Sequence, residues 1–374
     1  MKLKIAALGA KGLPHPGGIE QVMEEIGSRL VKRGHSVDVF VRDHYMADKP
    51  FFSFKGMGLP RSPGIQNKYL DAITHSSSAL LKILLSNYDI VYVNSVPLSV
   101  LAWLPRVFGK KVVVHTHGLD WKREKWAGFA SKLIRLSAWS SVAFPHATFC
   151  VCLEDKRFLE KSYNRPCTYI PNGVPISNLS PPEIIVEWGL EPLSYILFMA
   201  RLVQEKGCHF LLEAWKHVPE SVKNGRKLVI AGDTNHVDDY YNSLSEYRSL
   251  KDVIFTGFVT GTKKEELLSN ALCFAQPSTI EGMPLSLLEA MGYGRMILAS
   301  DIQENQDLLQ GRGMTFESRN IEDLEQKLIH ILQCDNEELI KQGQELYRYG
   351  IDHFNWDRIV DDVESALLNL FLSN

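Results

Sequence analysis

Glu281 and Glu289 stand eight residues apart in the segment TIEGMPLSLLEAMGYGRMIL, on either side of a Gly-Met-Pro turn that opens an apolar helix. A carboxylate on a loop just ahead of a helix can touch a ligand, and the N–H groups of residues 285–287 form a cradle for an anion. A second carboxylate about two turns further on reaches another part of the same ligand. The layout suits a molecule with a charged middle and hydroxyl-rich ends, which describes a nucleotide sugar. Paired glutamates on a helix are more often merely solvated. Here the Ser-Thr-Ile approach, the proline at the turn and the Met-Gly-Tyr-Gly exit into an apolar run at 296–299 set the pair apart.

Two cations follow another apolar run in MARLVQEKG. Arg201 offers a planar fork and Lys206 a compact charge, and both suit a diphosphate. His115 and His117 close the run KKVVVHTHGLD; alternation puts both side chains on one face, but by His117 the chain is turning into a loop. A lone histidine at a strand end is more often structural than catalytic. The loop GAKGLPHPGGIE carries Gly9, Gly12, Gly17 and Gly18, which miss the G-x-G-x-x-G spacing of a dinucleotide fingerprint and argue against nicotinamide binding. Adjacent Gly17 and Gly18 at a helix start instead let backbone approach a phosphate closely.

These residues need a scaffold, and the apolar periodicity supplies one. Runs at 5–8 and 37–41 flank a helical pattern at 20–33 that Gly34 ends, which makes a β-α-β unit. Runs at 90–93, 111–115 and 148–152 continue the alternation, so a parallel sheet covered by helices on both faces is expected. The stretch 171–182 holds four prolines and reads as a linker. A second series follows at 195–199, 227–231, 253–255, 273–276 and 296–299, and residues 356–370 form one more amphipathic helix. Two open α/β domains are implied, with ligands beyond the carboxyl ends of the strands, in the cleft between the domains.

The glutamate pair in its strand, loop, helix, glycine, strand setting resembles the signature of the retaining glycosyltransferases of family 4. Over nearly the whole chain the pattern resembles the GT-B architecture. That resemblance implies an α/β fold of two tandem Rossmann-like domains with parallel sheets facing a central cleft. Residues 1–175 would form the acceptor-side domain, 176–353 the nucleotide-sugar-binding domain, and 354–374 a helix packing back on the first. By the same resemblance His117, rather than His115, reaches the transferred sugar, and Gly17 and Gly18 face the donor diphosphate across the cleft. Arg201 and Lys206 bind that diphosphate, Glu281 lies close to the sugar, and Glu289 holds the ribose hydroxyls. Backbone N–H groups of Gly282, Met283, Leu285 and Ser286 would meet sugar hydroxyls and phosphate, Pro284 having none to donate. Gly257 and Phe258 fall near the base. In the family such cations replace a metal ion by stabilising the departing nucleoside diphosphate. The chain has no Asp-x-Asp triplet, so a hexosyltransferase working with no metal or other cofactor is expected.

Composition narrows the partners. With 374 residues, 45% of them hydrophobic, and a net charge of −3, the chain is globular, long enough for two domains, and no bulk nucleic-acid binder. Its six cysteines are scattered apart from Cys150 and Cys152 in one apolar stretch, which is neither zinc spacing nor a disulfide framework. The N-terminus lacks the long apolar region of a signal peptide and no uninterrupted apolar stretch of about 18 residues occurs, so the cytoplasm is the expected compartment. The segment 121–139 concentrates basic and aromatic residues. Membrane-interface docking, nucleic-acid stacking and an ordinary amphipathic helix all use that mixture. The overlapping segment GLDWKREKW, residues 118–126, resembles transferases of bacterial capsular and extracellular polysaccharides, some of which transfer rhamnose. Together these readings lead to a transferase that takes a nucleotide-sugar donor and a glycan or glycolipid acceptor, with residues 121–139 touching the inner face of the membrane. A nucleotide-sugar epimerase on the same scaffold and a non-catalytic sugar-nucleotide-binding subunit are the alternatives.

Overall fold

The computed structural model describes residues 1–49, 51–67, 70–118, 129–234 and 238–372, and of 129–134 the backbone. The chain divides into two compact units, Met1–Asn172 with Trp356–Asn374, and Gly173–Asn355. The first eight residues of the basic, aromatic segment 121–139 fall outside the described residues.

The first unit contains strands β1 (Lys4–Leu8), β2 (Ser36–Val39), β3 (Val41–Arg42), β4 (Ser53–Phe54), β5 (Met57–Gly58), β6 (Arg61–Ser62), β7 (Ile90–Val93), β8 (Lys111–Thr116), β9 (Ala147–Cys150) and β10 (Thr168–Tyr169). Helices α1 (Gly18–Lys32), α2 (Asp71–Leu84), α3 (Trp103–Val107), α4 (Phe129–Ala143) and α5 (Leu153–Tyr163) lie between them. The main sheet has the order β10-β9-β8-β7-β1-β2-β5-β4, parallel except at the β4–β5 pair. Every residue of β7 is buried, as strands covered on both faces must be.

Two expected strands are shorter than their apolar runs. The run 37–41 divides at Phe40, whose N–H still bonds Ala7; Val41 then turns to Pro60, and β3 pairs with β6 in a separate ribbon. The run 148–152 ends at Cys150, and Cys152 is already the N-cap of α5, although both thiols are buried.

The second unit holds β11 (Tyr195–Met199), β12 (Lys227–Ala231), β13 (Val253–Gly257), β14 (Cys273–Gln276), β15 (Met296–Ser300) and β16 (Met314–Phe316), all parallel in the order β13-β12-β11-β14-β15-β16. Its helices are α6 (Cys208–His217), α7 (Glu220–Lys223), α8 (Asp239–Ser243), α9 (Gly261–Asn270), α10 (Leu285–Gly292), α11 (Gln303–Leu309), α12 (Ile321–Gln333) and α13 (Asn336–His353). Alternation along β11 divides its side chains between two cores. Ile196 and Phe198 join Trp215 and Leu328 on one face, while Tyr195, Leu197 and Met199 join Leu288 and Met291 on the other.

The last helix, α14 (Trp356–Leu372), belongs to the first unit. Val360, Val363 and Leu367 form its buried stripe. Polar residues lace it to α1 and the turn that follows: Arg29 pairs with Asp357 at 2.8 Å, Arg33 with Asp361 at 2.7 Å and Glu364 at 3.0 Å, and the His35 ring meets Glu364 at 2.8 Å. Among the described residues no helix is long and apolar enough to cross a membrane.

Candidate active site

In the second unit the chain lays β11, β12 and β13 outward in one direction and then returns to place β14 on the other side of β11. Connections that leave two neighbouring strands toward opposite sides open a crevice at their carboxyl ends, which is where open α/β sheets bind ligands. The loop after β11 carries Arg201 and Lys206, and the loop after β14 carries Glu281. The topology alone therefore brings residues 75 positions apart to one edge.

The two loops are tied together. Gly207 has φ +69°, and a Cβ there would stand 2.0 Å from the Pro277 carbonyl oxygen, so only glycine permits the approach. Thr279 N–H donates to the Glu205 carbonyl at 2.9 Å. This backing sets Lys206 Nζ 2.5 Å from Glu281 Oε1. Buried Gln276 at the end of β14 donates from Nε2 to the same carboxylate oxygen at 2.8 Å and to Ser278 Oγ at 2.7 Å. Its Oε1 accepts from Ser286 Oγ at 3.2 Å, in the first turn of α10.

Pro284 is the N-cap of α10 and no side chain caps that end. The Gly282, Met283, Leu285 and Ser286 backbone thus stands between Glu281 and Glu289 with the positive end of a helix behind it. Glu289 projects from the middle of α10, nearly buried, and pairs with Lys264 of α9 at 2.9 Å. Arg201 is exposed. Gly257 ends β13, which β12 and β11 separate from β14, and Phe258 follows it; they lie outside the cluster bonded to Glu281, and Phe258 is 61% exposed. Helix α9 begins four residues after Gly257 and carries Lys264 to Glu289, so the end of β13 is coupled to α10 through that ion pair.

The first unit has the same kind of switch. Strand β1 has β2 on one side and β7 on the other, and the loops after β1 and β7 meet at Asn94. A Cβ on Gly9, at φ +118°, would lie 2.8 Å from the Asn94 carbonyl oxygen. Gly17 is the N-cap of α1, and a Cβ there would collide with the Glu20 carboxylate at 2.1 Å. Glu20 is buried and accepts from Lys11 N–H at 2.8 Å, so the last residue of the Gly-Gly-x-Glu run braces the loop from beneath.

His115 and His117 do share a face, their rings 4.5 Å apart, and they differ in surroundings. His115 is wholly buried; its Nε2–H points to the Ile170 carbonyl at 3.4 Å and its Nδ1 accepts from the Tyr92 hydroxyl at 2.9 Å. Burial first, and the neighbouring His117 second, hold it well below the usual histidine range. His117, one residue past β8, is only partly buried and sends Nε2–H to Asn94 Oδ1 at 3.4 Å. Desolvation pushes it down to about 4, so the ring is neutral at neutral pH.

Comparison with known proteins agrees with this anatomy. Residues 182–367 match the model for glycosyl transferases group 1, and residues 16–178 match that for glycosyltransferase family 4. The chain belongs to the family 4 glycosyltransferases. Among its relatives, this transferase is 27% identical over 312 residues to the Escherichia coli UDP-Gal:alpha-D-GlcNAc-diphosphoundecaprenol alpha-1,3-galactosyltransferase, covering 76% of each chain. It is 24% identical over 321 residues to the alpha-monoglucosyldiacylglycerol synthase of Streptococcus pneumoniae, covering 76% of this chain and 68% of that one. Among solved structures, sucrose-phosphate synthase from Thermosynechococcus elongatus superposes with a TM-score of 0.85 over 100% of both chains at 17% identity. Anabaena HepE in complex with UDP and glucose gives 0.78 at 17% identity, over 98% of this chain and all of that one. The fold of the transferase is GT-B, with two Rossmann-like domains.

Three residues of the transferase's two switch points escaped the sequence reading: Gln276, Lys264 and Asn94. Gln276 and Asn94 each carried a signal, a polar side chain directly after an apolar run. Lys264 carried none, since it sits in the charged stretch GTKKEE.

Proposed function

We propose that this transferase moves a hexose-type sugar from a nucleoside diphosphate to a hydroxyl of a lipid-linked glycan, with retention of configuration and without a divalent metal. The observation that carries the reading is the linked cluster of Lys206, Glu281, Gln276 and Ser286 at the β11/β14 switch point, ahead of an uncapped helix end. A diphosphate seated there would meet Lys206, Arg201 and the backbone N–H groups that open α10, and all three favour negative charge.

In this mechanism the bond from the sugar's anomeric carbon to the diphosphate oxygen breaks and its electron pair leaves with the diphosphate. Lys206 and Arg201 stabilise that charge as it develops. The acceptor hydroxyl bonds to the anomeric carbon on the same face and passes its proton to the departing phosphate oxygen. Glu281 positions the sugar, and Glu289 takes the ribose hydroxyls. His117, neutral at working pH, serves the sugar as a hydrogen-bonding group and not as a cation. Gly17 and Gly18 give the diphosphate a close backbone approach, and Gly257 and Phe258 flank the base.

Two relatives bear on the acceptor. The names of the Escherichia coli galactosyltransferase and the Streptococcus pneumoniae synthase specify a diphosphoundecaprenol-linked sugar and a glycosyldiacylglycerol, and both are lipid-borne. They favour a lipid-borne acceptor, and we infer from that a reaction at the inner face of the membrane, in the assembly of a cell-surface polysaccharide. HepE binds UDP and UDP-glucose, so uridine donors come first in any screen.

The test is a panel of UDP, GDP, dTDP and ADP sugars incubated with the purified protein and chelator, following release of free nucleoside diphosphate with and without a polyprenyl-diphosphate-linked sugar. One donor consumed in chelator, with acceptor-dependent transfer, supports the reading. Donor converted to an epimer with no diphosphate released would establish the epimerase instead. Binding without turnover on any acceptor would leave a sugar-nucleotide-binding subunit.

A further inference from the structure

His117 makes its hydrogen bond to a side chain whose own orientation is forced. Asn94, one residue past β7, is wholly buried. Its backbone N–H donates to the Leu8 carbonyl at 2.9 Å, and its side-chain Nδ2 donates to the same oxygen at 3.3 Å. Gly9 permits this approach, since a Cβ there would lie 3.2 Å from Asn94 Cβ. A carbonyl oxygen can only accept, so the amide's NH2 end must face Leu8; the reverse orientation would press two oxygens together in a dry site. Oδ1 is thereby turned to His117.

That orientation decides the state of the imidazole. An amide oxygen accepts and never donates, so the ring nitrogen 3.4 Å from it, Nε2, carries the proton. A proton on Nδ1 instead would set one lone pair against another. The titratable side chain against the ring is His115, 4.5 Å away between centroids, and both its nitrogens are engaged, one with the Ile170 carbonyl and one with the Tyr92 hydroxyl. Burial holds His117 down to about 4, and the ring is uncharged at neutral pH. An uncharged ring protonated on Nε2 keeps a lone pair on Nδ1. Among the described residues no hydrogen bond reaches that atom.

We propose that Asn94 is a positioning residue: it fixes His117 as the Nε2–H tautomer, so that the ring offers the transferred sugar a hydrogen-bond acceptor at Nδ1. The inference rests on the sugar contact given to His117 in the preceding section and names the atom that makes it. A hydroxyl of the sugar can donate into that lone pair, whereas an ether or carbonyl oxygen at the same point would be repelled by it. The ring therefore selects a sugar with a free hydroxyl there over the deoxy or O-alkylated analogue. With its one proton held by Asn94, His117 supplies none to the departing diphosphate, and the acceptor hydroxyl remains the source of that proton.

Long-range proton–nitrogen NMR of the full-length protein with nitrogen-15 histidine reads the tautomer directly, the His117 signals being assigned by their loss in His117→Gln. At neutral pH and without donor, Nε2 is expected as the protonated nitrogen and Nδ1 as the unprotonated one. Asn94→Leu, which cannot accept, should give a mixture of the two tautomers and lower kcat about tenfold. Asn94→Asp separates positioning from support of the fold. Its carboxylate still accepts from Nε2–H and keeps the tautomer, but the negative charge raises the His117 pKa. Protonation then takes the Nδ1 lone pair. The rate of this variant should approach wild type in mildly alkaline buffer and fall with decreasing pH through a range where wild type stays level.

A wild-type ring protonated on Nδ1, or a tautomer that Asn94→Leu leaves unchanged, overturns the proposal. So does an Asn94→Asp profile parallel to wild type at every pH, which is what a purely structural asparagine would give. Should Asn94→Leu not fold, the wild-type tautomer and the Asn94→Asp profile still decide the matter. The tautomer is read on the protein alone, which keeps its outcome separate from any failure of the transferase reading.

Discussion

Lys206 Nζ and Glu281 Oε1 stand 2.5 Å apart, joining the loops after β11 and β14, and both side chains are largely buried. Removing one partner of such a pair leaves the other charge desolvated, at a cost of roughly 3–5 kcal/mol where burial is deep. Lys206→Ala is therefore expected to lower the melting temperature as well as abolish turnover. Arg201 is exposed, and Arg201→Ala should leave stability within about 0.5 kcal/mol while lowering kcat by orders of magnitude. Thermal melts and steady-state rates of the two variants check this; near-normal turnover in both would sink the role assigned to the cations.

Gln276 is a positioning residue, since it holds Glu281 with its N–H and Ser286 with its carbonyl. Gln276→Leu removes both bonds, and the one to Ser278 Oγ, at nearly constant volume. The expected outcome is a fall in kcat of about ten- to a hundredfold, at about 1.4 kcal/mol per factor of ten, with the Kd for free nucleoside diphosphate changed less than threefold. A change confined to nucleotide affinity would show that Gln276 acts elsewhere.

Glu289 pairs with Lys264, and the same carboxylate is proposed to take the ribose hydroxyls. Hydrogen bonds to a charged group contribute about 1.5–3 kcal/mol, so Glu289→Ala should weaken nucleoside diphosphate binding by about ten- to a hundredfold in calorimetry. Lys264→Ala, which leaves the carboxylate present but unanchored, should cost less than Glu289→Ala. The reverse ranking would make Lys264 the group in contact with nucleotide.

His75 on α2 is buried, and desolvation first, with the nearby Arg42 charge second, pushes it down to about 4. Its folded value lies below the unfolded one, so between about pH 6.5 and 4 the unfolded chain binds the extra proton. Stability is therefore full above about pH 6.5 and is lost as pH falls toward 4, by up to roughly 3 kcal/mol for this group. Urea melts at pH 7 and pH 5 should show the loss, and His75→Phe should reduce it. An unchanged slope in that variant would place the acid sensitivity on other groups.

Much of this transferase was legible in one dimension. β7, β11, β12 and β14 match their apolar runs residue for residue, because strands buried on both faces leave uninterrupted hydrophobic stretches. The Glu281/Glu289 spacing and the Arg201/Lys206 pair were readable for a related reason, since each lies on the loop or helix directly after such a run.

The sequence by itself thus determined the alternating α/β class, the two series of strands, and which polar residues follow a strand end. Those properties are local, set by side-chain periodicity and by glycine and proline positions. Only the tertiary structure decided the strand order, and with it that β14 returns beside β11 and carries Glu281 to Lys206. It also decided that Gln276 braces both Glu281 and Ser286, that Lys264 reaches Glu289, and that His115 is wholly buried in the core while His117, just past the strand, is only partly buried. These are contacts between segments distant in the chain, and no local pattern encodes which strand a run will choose as its neighbour.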